Sequence, residues 1–472
     1  MTSSQSKKSF IYSQKYKSKK ISLRSLFWKI VIVSFCGVLA FHVSENIAPI
    51  RWNSIVFSED FELFQNLVVP DKYNWIPIAI LLVISSSIIR LFSPDNRNAR
   101  SLTIAIFSAF TVRYILWRTL YTLNLSNSID SCISISFLLV EFFLLATQSI
   151  RLFLTIEEKN RHQEADLLSV AVLDGSFQPT VDIFIPTYDE PAVILRRTII
   201  GCQAIHYDRK SIYILDDTRR SEIADLAKEL GCEYITRSDN RHAKAGNLNH
   251  AIAKTNGDLI IIFDADFIPT QNFIERTAGF FQDRGVGLIQ THQCFYNSDI
   301  IARNLGLEEV LPHEFEMYYR QYQLMRDGAR SVLCSGSAFM VRRSALEDVG
   351  GFVTESLCED YYTGVSLAAQ GYEVIYLDEN LSAGLIAESM PAYLSQRQRW
   401  ARGTLQGLFL GVNPFIIEGL TLRQRICNIE GIMQWFANLI RMIFLLMPLA
   451  YYFLGILPLK TTIEEWLFFF LP

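Results

Sequence analysis

The sequence predicts an α/β domain with a doubly wound, mostly parallel sheet, inserted between transmembrane helices. Three observations carry this expectation. Between residues 157 and 410 short apolar runs alternate with segments of helical pattern, the order that builds parallel strands joined by crossover helices. On either side lie apolar runs long enough to cross a bilayer as helices. Acidic residues stand at the ends of three predicted strands, where open α/β sheets bind ligands.

The membrane part comes first. Half of the 472 residues are hydrophobic and 13% are aromatic, with a mean hydropathy of +0.19. That balance calls for membrane spans beside a folded domain. Residues 1–26 form a basic head with Lys7, Lys8, Lys15, Lys17, Lys19, Lys20 and Arg24 and no acid. Residues 27–154 carry four predicted spans, near Phe27–Phe41, Trp75–Phe92, Leu102–Leu123 and Ile133–Leu154. The loop after the first is acidic (Glu45, Glu59, Asp60, Glu62, Asp71), the next is basic (Arg90, Arg97, Arg100), and the third is short, with Asp130. By the positive-inside rule this puts the amino terminus and the segment after residue 154 in the cytoplasm, in a multi-pass membrane protein. Arg113 and Arg118 fall inside the third span. Arg113 is expected to face protein or water, and Arg118 to snorkel to the interface.

Residues 155–412 form the predicted α/β domain. Strands are expected at Val181–Pro186, Ile212–Leu215, Tyr234–Thr236, Leu259–Phe263 and Val286–Gln290, with helices over 191–203, 220–230, 244–254 and 271–282. Leu259–Phe263 is the anchor: five apolar residues ending in Asp264-Ala-Asp266. Carboxylate oxygens at this spacing suit a hard divalent cation, Mg²⁺ or Mn²⁺. Acids that merely solvate a strand end are the alternative. Pro186-Thr187-Tyr188-Asp189-Glu190 follows the first strand and Asp216-Asp217 the second. No G-x-G-x-x-G follows the first strand, so this is not a dinucleotide fold. Lys244 opens a predicted helix, a position where an ammonium and free backbone N–H groups can meet phosphate together.

Asp360 precedes a further helix. It can serve as a first-turn acid or as a base toward a hydroxyl. Gln396, Arg399 and Trp400 share one helix face. Arginine matches phosphate geometry, and tryptophan offers a flat apolar surface to a sugar ring. An interfacial Trp among basic residues is the competing reading. Residues 413–434 are expected as an interfacial amphipathic helix, and 435–472 as a fifth span and an incomplete sixth. The net charge of −4 gives no sign of nucleic-acid binding. The eight cysteines show no C-x-x-C pair, which argues against a disulfide framework or structural zinc.

Taken as an ordered set, Asp216-Asp217, Asp264-Ala-Asp266, Glu359-Asp360 and Gln396-x-x-Arg399-Trp400 resembles the D, DxD, (T)ED, QxxRW signature of processive inverting family 2 glycosyltransferases. His242-Ala-Lys-Ala-Gly-Asn247 and Arg113-Tyr-x-x-Trp-Arg118 resemble the bacterial cellulose synthase catalytic subunits within it. The resemblance implies a GT-A-type domain and a UDP-glucose-dependent β-glycosyltransferase that extends a β-1,4-glucan acceptor. It implies that Thr187, Tyr188, Glu190, Asp216 and Asp217 surround the uridine and that Lys244 meets the diphosphate. Asp264 and Asp266 would hold nucleotide and metal, and Asp360 would be the general base, with Asp266 and Asp217 also catalytic. Gln396 and Arg399 would steady the diphosphate. Trp400, Ser335 and Gly336 would lie toward the acceptor. Thr218 stands where the family commonly has glycine, Asp189 where it has asparagine and Cys358 where it has threonine. The family pattern continues past residue 472 into further spans, a gating loop and often a cyclic-di-GMP domain. The resemblance therefore also implies a second chain completing the pore, or a periplasmic export subunit. The alternatives are a synthase of another β-linked polysaccharide, such as mixed-linkage glucan or mannan, and a non-catalytic membrane scaffold.

Overall fold

A computed structural model describes residues 75–93 and 96–472. The predicted span near Phe27–Phe41, the basic head and the acidic loop lie outside the described residues. The chain divides into two compact units, Met1–Leu139 with Tyr451–Pro472, and Val140–Ala450.

The first unit is helical. Ile76–Leu91 opens with proline in its first turn, where the missing N–H costs nothing. Arg97–Leu120 opens on Asn96, whose side chain accepts from the Asn98 and Ala99 N–H groups. Ile463–Phe470 opens on a capping box between Thr462 and Glu465. Arg113 donates from Nη1 and Nη2 to the Phe468 carbonyl at 3.1 Å and lies over the Phe468 and Phe469 rings. Arg118 corrects the sequence reading: it does not snorkel but is fully buried, with Nη1 donating to Thr122 Oγ1 at 2.7 Å. Here a partner one turn along the helix replaces the headgroup layer.

Among the described residues three helices are long and apolar enough to cross a membrane: Arg97–Leu120, Ser128–Glu157 and Leu422–Leu454. Ile76–Leu91 is apolar but shorter. Leu422–Leu454 runs without a break through residues 434–435, where the sequence placed the end of an interfacial helix. Neither Gln434 nor Trp435 offers the proline, glycine or cap that ends a helical ladder.

The second unit holds one eight-stranded sheet in the order β3-β2-β1-β4-β7-β6-β8-β5. The strands are β1 (Val181–Thr187), β2 (Lys210–Asp216), β3 (Glu233–Ile235), β4 (Leu259–Ile262), β5 (Ile268–Pro269), β6 (Val286–Phe295), β7 (Phe339–Arg342) and β8 (Glu373–Gly384). The five expected strands are present as β1–β4 and β6. The sheet is mixed: β7 runs antiparallel to both β4 and β6, and β5 antiparallel to β8. Only the β1–β2, β1–β4, β2–β3 and β6–β8 pairings are parallel. The short β7 and the charged, bulged β8 carry weak strand signals, and pairing to buried neighbours decides them.

Alternate residues of β1 and β4 feed two cores, one on each sheet face. Ile183, Ile185, Ile261 and Phe263 enter one, and Phe184, Ile260 and Ile262 the other. Burial on both faces explains the unbroken apolar runs. The helix Glu359–Ala369 packs into the second core through Tyr361, Tyr362 and Val365. The helix Met390–Gln406 crosses its start at Gly403, where a Cβ would stand 2.7 Å from the Cys358 nitrogen and 2.9 Å from the Leu357 carbonyl carbon.

Gly403 therefore sets the spacing between the Asp360 helix and the Gln396–Arg399–Trp400 helix. Gly403→Ala is expected to cost about 1–3 kcal/mol of stability by overpacking against backbone. A thermal melt in detergent checks this; an unchanged midpoint would show that the two helices can separate freely.

Candidate active site

The carboxyl ends of β1, β2 and β4 bring the first set of predicted residues together. Thr187 ends β1, and its Oγ1 donates to Glu190 Oε2 at 2.7 Å, which also accepts from the Tyr188 N–H at 2.8 Å. Tyr188 itself is 59% exposed, a ring free to cover a planar ligand. Asp216 ends β2 fully buried and accepts from the Thr218 and Arg220 N–H groups, Thr218 Oγ1 and Tyr234 Oη. Burial alone would raise its pKa, but these donors outweigh it and hold the carboxyl below its ordinary range. Asp216 therefore shapes the loop. Asp217 is buried too, with both oxygens taken at 2.6 Å by Nε and Nη2 of Arg237. The left-handed residue of the turn that follows Asp217 is Arg219, at φ 57°.

The second set meets around Lys244. Its helix, Ala243–Ile252, starts from a left-handed turn at His242 and Ala243. Arg237 stabilises that turn by donating to the Arg241 and Ala243 carbonyls. Lys244 Nζ then reaches Asp264 Oδ1 at 2.5 Å and the Gly336 carbonyl at 2.6 Å. Burial opposes the ammonium charge, but Asp264, Glu359 and Asp360 outweigh it and hold Lys244 protonated above its ordinary range. Asp360 sits in the first turn of its helix. A Cβ on Gly336, at φ +83°, would lie 2.8 Å from Asp360 Oδ2. Burial first, then the neighbouring charge of Glu359, pushes the Asp360 carboxyl up to about 7. That value suits a proton acceptor at neutral pH.

Of the third set, Asp266, Gln396 and Arg399 line an open cleft of about 400 Å³ together with Leu385 and Ile386, and Trp400 is not on that wall. Burial first, then the charge of Asp264, pushes Asp266 up to about 7. Gln396 Oε1 is buried with no hydrogen-bond partner, which marks a polar wall awaiting a ligand. Trp400 is half-buried against Phe315, with ring centroids 5.9 Å apart. The donor set fits a divalent cation: two carboxylates just past β4, one of them held near protonation by burial first and then by the charge of the other. Among the described residues no cluster of three or more His, Cys, Asp or Glu could hold a metal. A cation here would share its shell with a bound diphosphate, as Mg²⁺ usually does.

Several residues that hold the site were not singled out from sequence. Ser337 Oγ accepts from the Asp264 N–H at 2.9 Å. Gln290 and Gln293 on β6 fix the Ser335–Ser337 backbone: Gln290 accepts from the Ser335 N–H, and both glutamines donate to the Ser337 carbonyl. Polar side chains in an otherwise apolar strand were the available signal. Arg237, tied to Asp217, had none.

Residues 179–403 match the model of the family described as glycosyltransferase like family 2. This segment is a family 2 glycosyltransferase domain. It has a GT-A-like fold with a mixed sheet, placed in sequence between apolar helices. The chain is 39% identical over 361 residues to the cellulose synthase 1 catalytic subunit (UDP-forming) of Komagataeibacter xylinus, covering 76% of this chain and 48% of that protein. It is 34% identical over 354 residues to the cellulose synthase catalytic subunit (UDP-forming) of Xanthomonas axonopodis pv. citri, covering 74% and 48%. The chain thus spans about half the length of these curated relatives. A solved mannosyltransferase from Pyrobaculum calidifontis, in complex with GDP-Man and Mn²⁺, is 17% identical with a TM-score of 0.43, covering 62% of this chain and 81% of that one.

The loop before β7 depends on a bare backbone at Gly336. Gly336→Ala would strain a left-handed residue and crowd Asp360. It is expected to cost about 1–3 kcal/mol of stability, read as a lower melting midpoint in detergent. An unchanged midpoint would show that the loop can yield without disturbing Asp360.

Proposed function

We propose that the chain is a membrane-embedded inverting glycosyltransferase that moves glucose from UDP-glucose to the non-reducing end of a growing β-1,4-glucan. The observation that carries this reading is the meeting of Asp360, Lys244, Asp264 and Gly336 at one point, with Asp266, Gln396 and Arg399 on the wall of one cleft. The relatives named cellulose synthase catalytic subunit (UDP-forming) support both donor and polymer.

In this mechanism Tyr188 covers the uracil, and Thr187, Glu190 and Asp217 frame the uridine. Charge grows on UDP as the glycosidic bond breaks. Lys244, Gln396 and Arg399 meet that charge, and fixed donors of this kind are the strongest lever in such reactions. A divalent cation, Mg²⁺ or Mn²⁺, held by Asp266 and Asp264, supplies charge neutralisation at the diphosphate when bound. Asp360 takes the proton from the acceptor hydroxyl on the face of the glucose opposite the diphosphate, so the anomeric centre inverts. Trp400 supports the acceptor sugar, and Ser335 and Gly336 border it. The domain works on the cytoplasmic side of the inner membrane, and the product passes through a bilayer pore. A periplasmic export subunit receives it.

Labelled UDP-glucose with Mg²⁺ or Mn²⁺, given to membranes carrying the chain, tests the reading. Glucanase-sensitive polymer is expected from the unaltered chain, with a loss of about 10²–10⁴-fold in Asp360→Asn. Polymer from a different UDP-sugar alone would replace the substrate, and no turnover with any UDP-sugar would favour a non-catalytic scaffold.

The pH profile follows from Asp360. The base works only when ionised, so turnover should rise with pH through an inflection near 7. Glu359→Gln removes a like charge and should move the inflection to lower pH. The stability effect has the opposite sign: a carboxyl with a raised folded-state pKa favours the fold while protonated, and that contribution is lost as pH rises through about 7. Asp360→Asn should therefore melt no lower than the unaltered chain at pH 8, even though it is inactive.

A further inference from the structure

Two arginines lie two residues apart on the helix Met390–Gln406, in opposite surroundings. Arg399 is exposed on the wall of the cleft and makes no ion pair among the described residues. Arg397 is half-buried and held on several sides. Its guanidinium lies over Phe315 at 4.8 Å, Tyr393 at 4.8 Å and Trp400 at 4.6 Å from each ring centre. Its Nη2 donates to Glu314, which also accepts from Tyr393 Oη at 3.2 Å. Its Nε is buried with no hydrogen-bond partner.

The geometry separates the chemistry of the two side chains. A carboxylate already neutralises Arg397, so it has little charge to offer a diphosphate. The lost Nε bond shows what the arrangement favours instead. The flat guanidinium lies among three rings, in the stacking that arginine's delocalised plane allows and a lysine ammonium does not. One of those rings is Trp400, one turn along the same helix. Phe315 meets the same indole from the side, 5.9 Å away at 61°. With Arg397 over the ring and Phe315 at its flank, the indole has little freedom to turn.

We infer that Arg397 is a positioning residue for the acceptor sugar, acting through Trp400 and held in place by Glu314. The inference rests on the glucan-synthase reading above and deepens it. The Gln396–Trp400 helix serves both substrates: Gln396 and Arg399 face the departing diphosphate, while Arg397 sets the plane on which the incoming chain end rests. Glu314 lies between β6 and the Ser335–Ser337 loop in sequence, so the clamp draws on the acceptor side of the domain.

The test uses the full chain in membranes, with UDP-glucose and an added β-1,4-gluco-oligosaccharide as acceptor. Arg397→Ala is expected to raise the KM for the oligosaccharide roughly five- to tenfold while leaving the KM for UDP-glucose within about twofold. Glu314→Gln should shift the same constant less, and Arg397→Lys should fall between the alanine variant and the unaltered chain. In a Trp400→Ala background Arg397→Ala should add nothing, because its target is gone. Unchanged donor KM serves as the sign that the variants fold. Equal changes in both constants, additive effects in the Trp400→Ala background, or an unmoved oligosaccharide KM would overturn the inference alone. No transfer by the unaltered chain would overturn the underlying reading and the inference with it.

Discussion

Lys244 stands among Asp264, Glu359 and Asp360, three carboxyl groups that would repel one another without a cation between them. Its ammonium contacts Asp264 at the end of β4 and the Gly336 carbonyl in the loop before β7. One charge therefore joins two segments that are far apart in sequence and brings Asp360 to their junction. Attraction in a partly buried setting is worth far more than at an exposed surface. The same burial keeps Asp360 and Asp266 near neutrality rather than fully ionised. Binding energy and proton affinity at this site thus have a common source.

The sheet gathers two groups of polar residues at one edge. β1, β2 and β4 are parallel, and their ends supply Thr187, Asp216, Asp217 and Asp264. β7 then runs antiparallel, so the loop that enters it returns to the same edge. That reversal places Ser335, Gly336 and Ser337 beside the acids of β4, with Gln290 and Gln293 pinning their backbone. A wholly parallel sheet would need a crossover before each strand and would carry that loop away.

A second polar cluster lies where the domain meets the long apolar helix Leu422–Leu454. Glu430 on that helix is fully buried and accepts from Arg151 at 2.9 Å, Tyr322 at 2.6 Å and Gln434 at 2.8 Å. Arg326, also fully buried, donates to the Cys427 carbonyl and Asn428 Oδ1. Tyr322 belongs to a π-helical turn, Tyr318–Gln323, whose Tyr318 and Gln323 side chains both approach Ser335 Oγ at 3.3 Å. Single π-turns of this kind concentrate at functional sites. Here the turn faces the Ser335–Ser337 loop on one side and the apolar helix on the other.

Local pattern alone was enough for the five central strands, the crossover helices and the acids at their ends. An unbroken apolar run that stops at a carboxylate has one comfortable place in an α/β domain. Among the described residues the three long apolar helices were equally legible, because length and hydropathy decide them. Other features were not legible in local pattern. Arg118 is buried, with Thr122 Oγ1 accepting one of its hydrogen bonds, which composition does not reveal. The helix through residues 434–435 continues because nothing local stops it, although its two halves differ in polarity. β7 and β8 exist because buried neighbours pair with them. Arg237 on Asp217, Ser337 on Asp264 and Arg397 on Trp400 are contacts between groups brought together by folding, and no local periodicity encodes them. The sequence by itself determined which chemical groups this protein carries and which segments could form strands and helices. Only the tertiary structure decided which carboxylates are engaged and which are left near neutrality, because that depends on burial and on charges that meet through space.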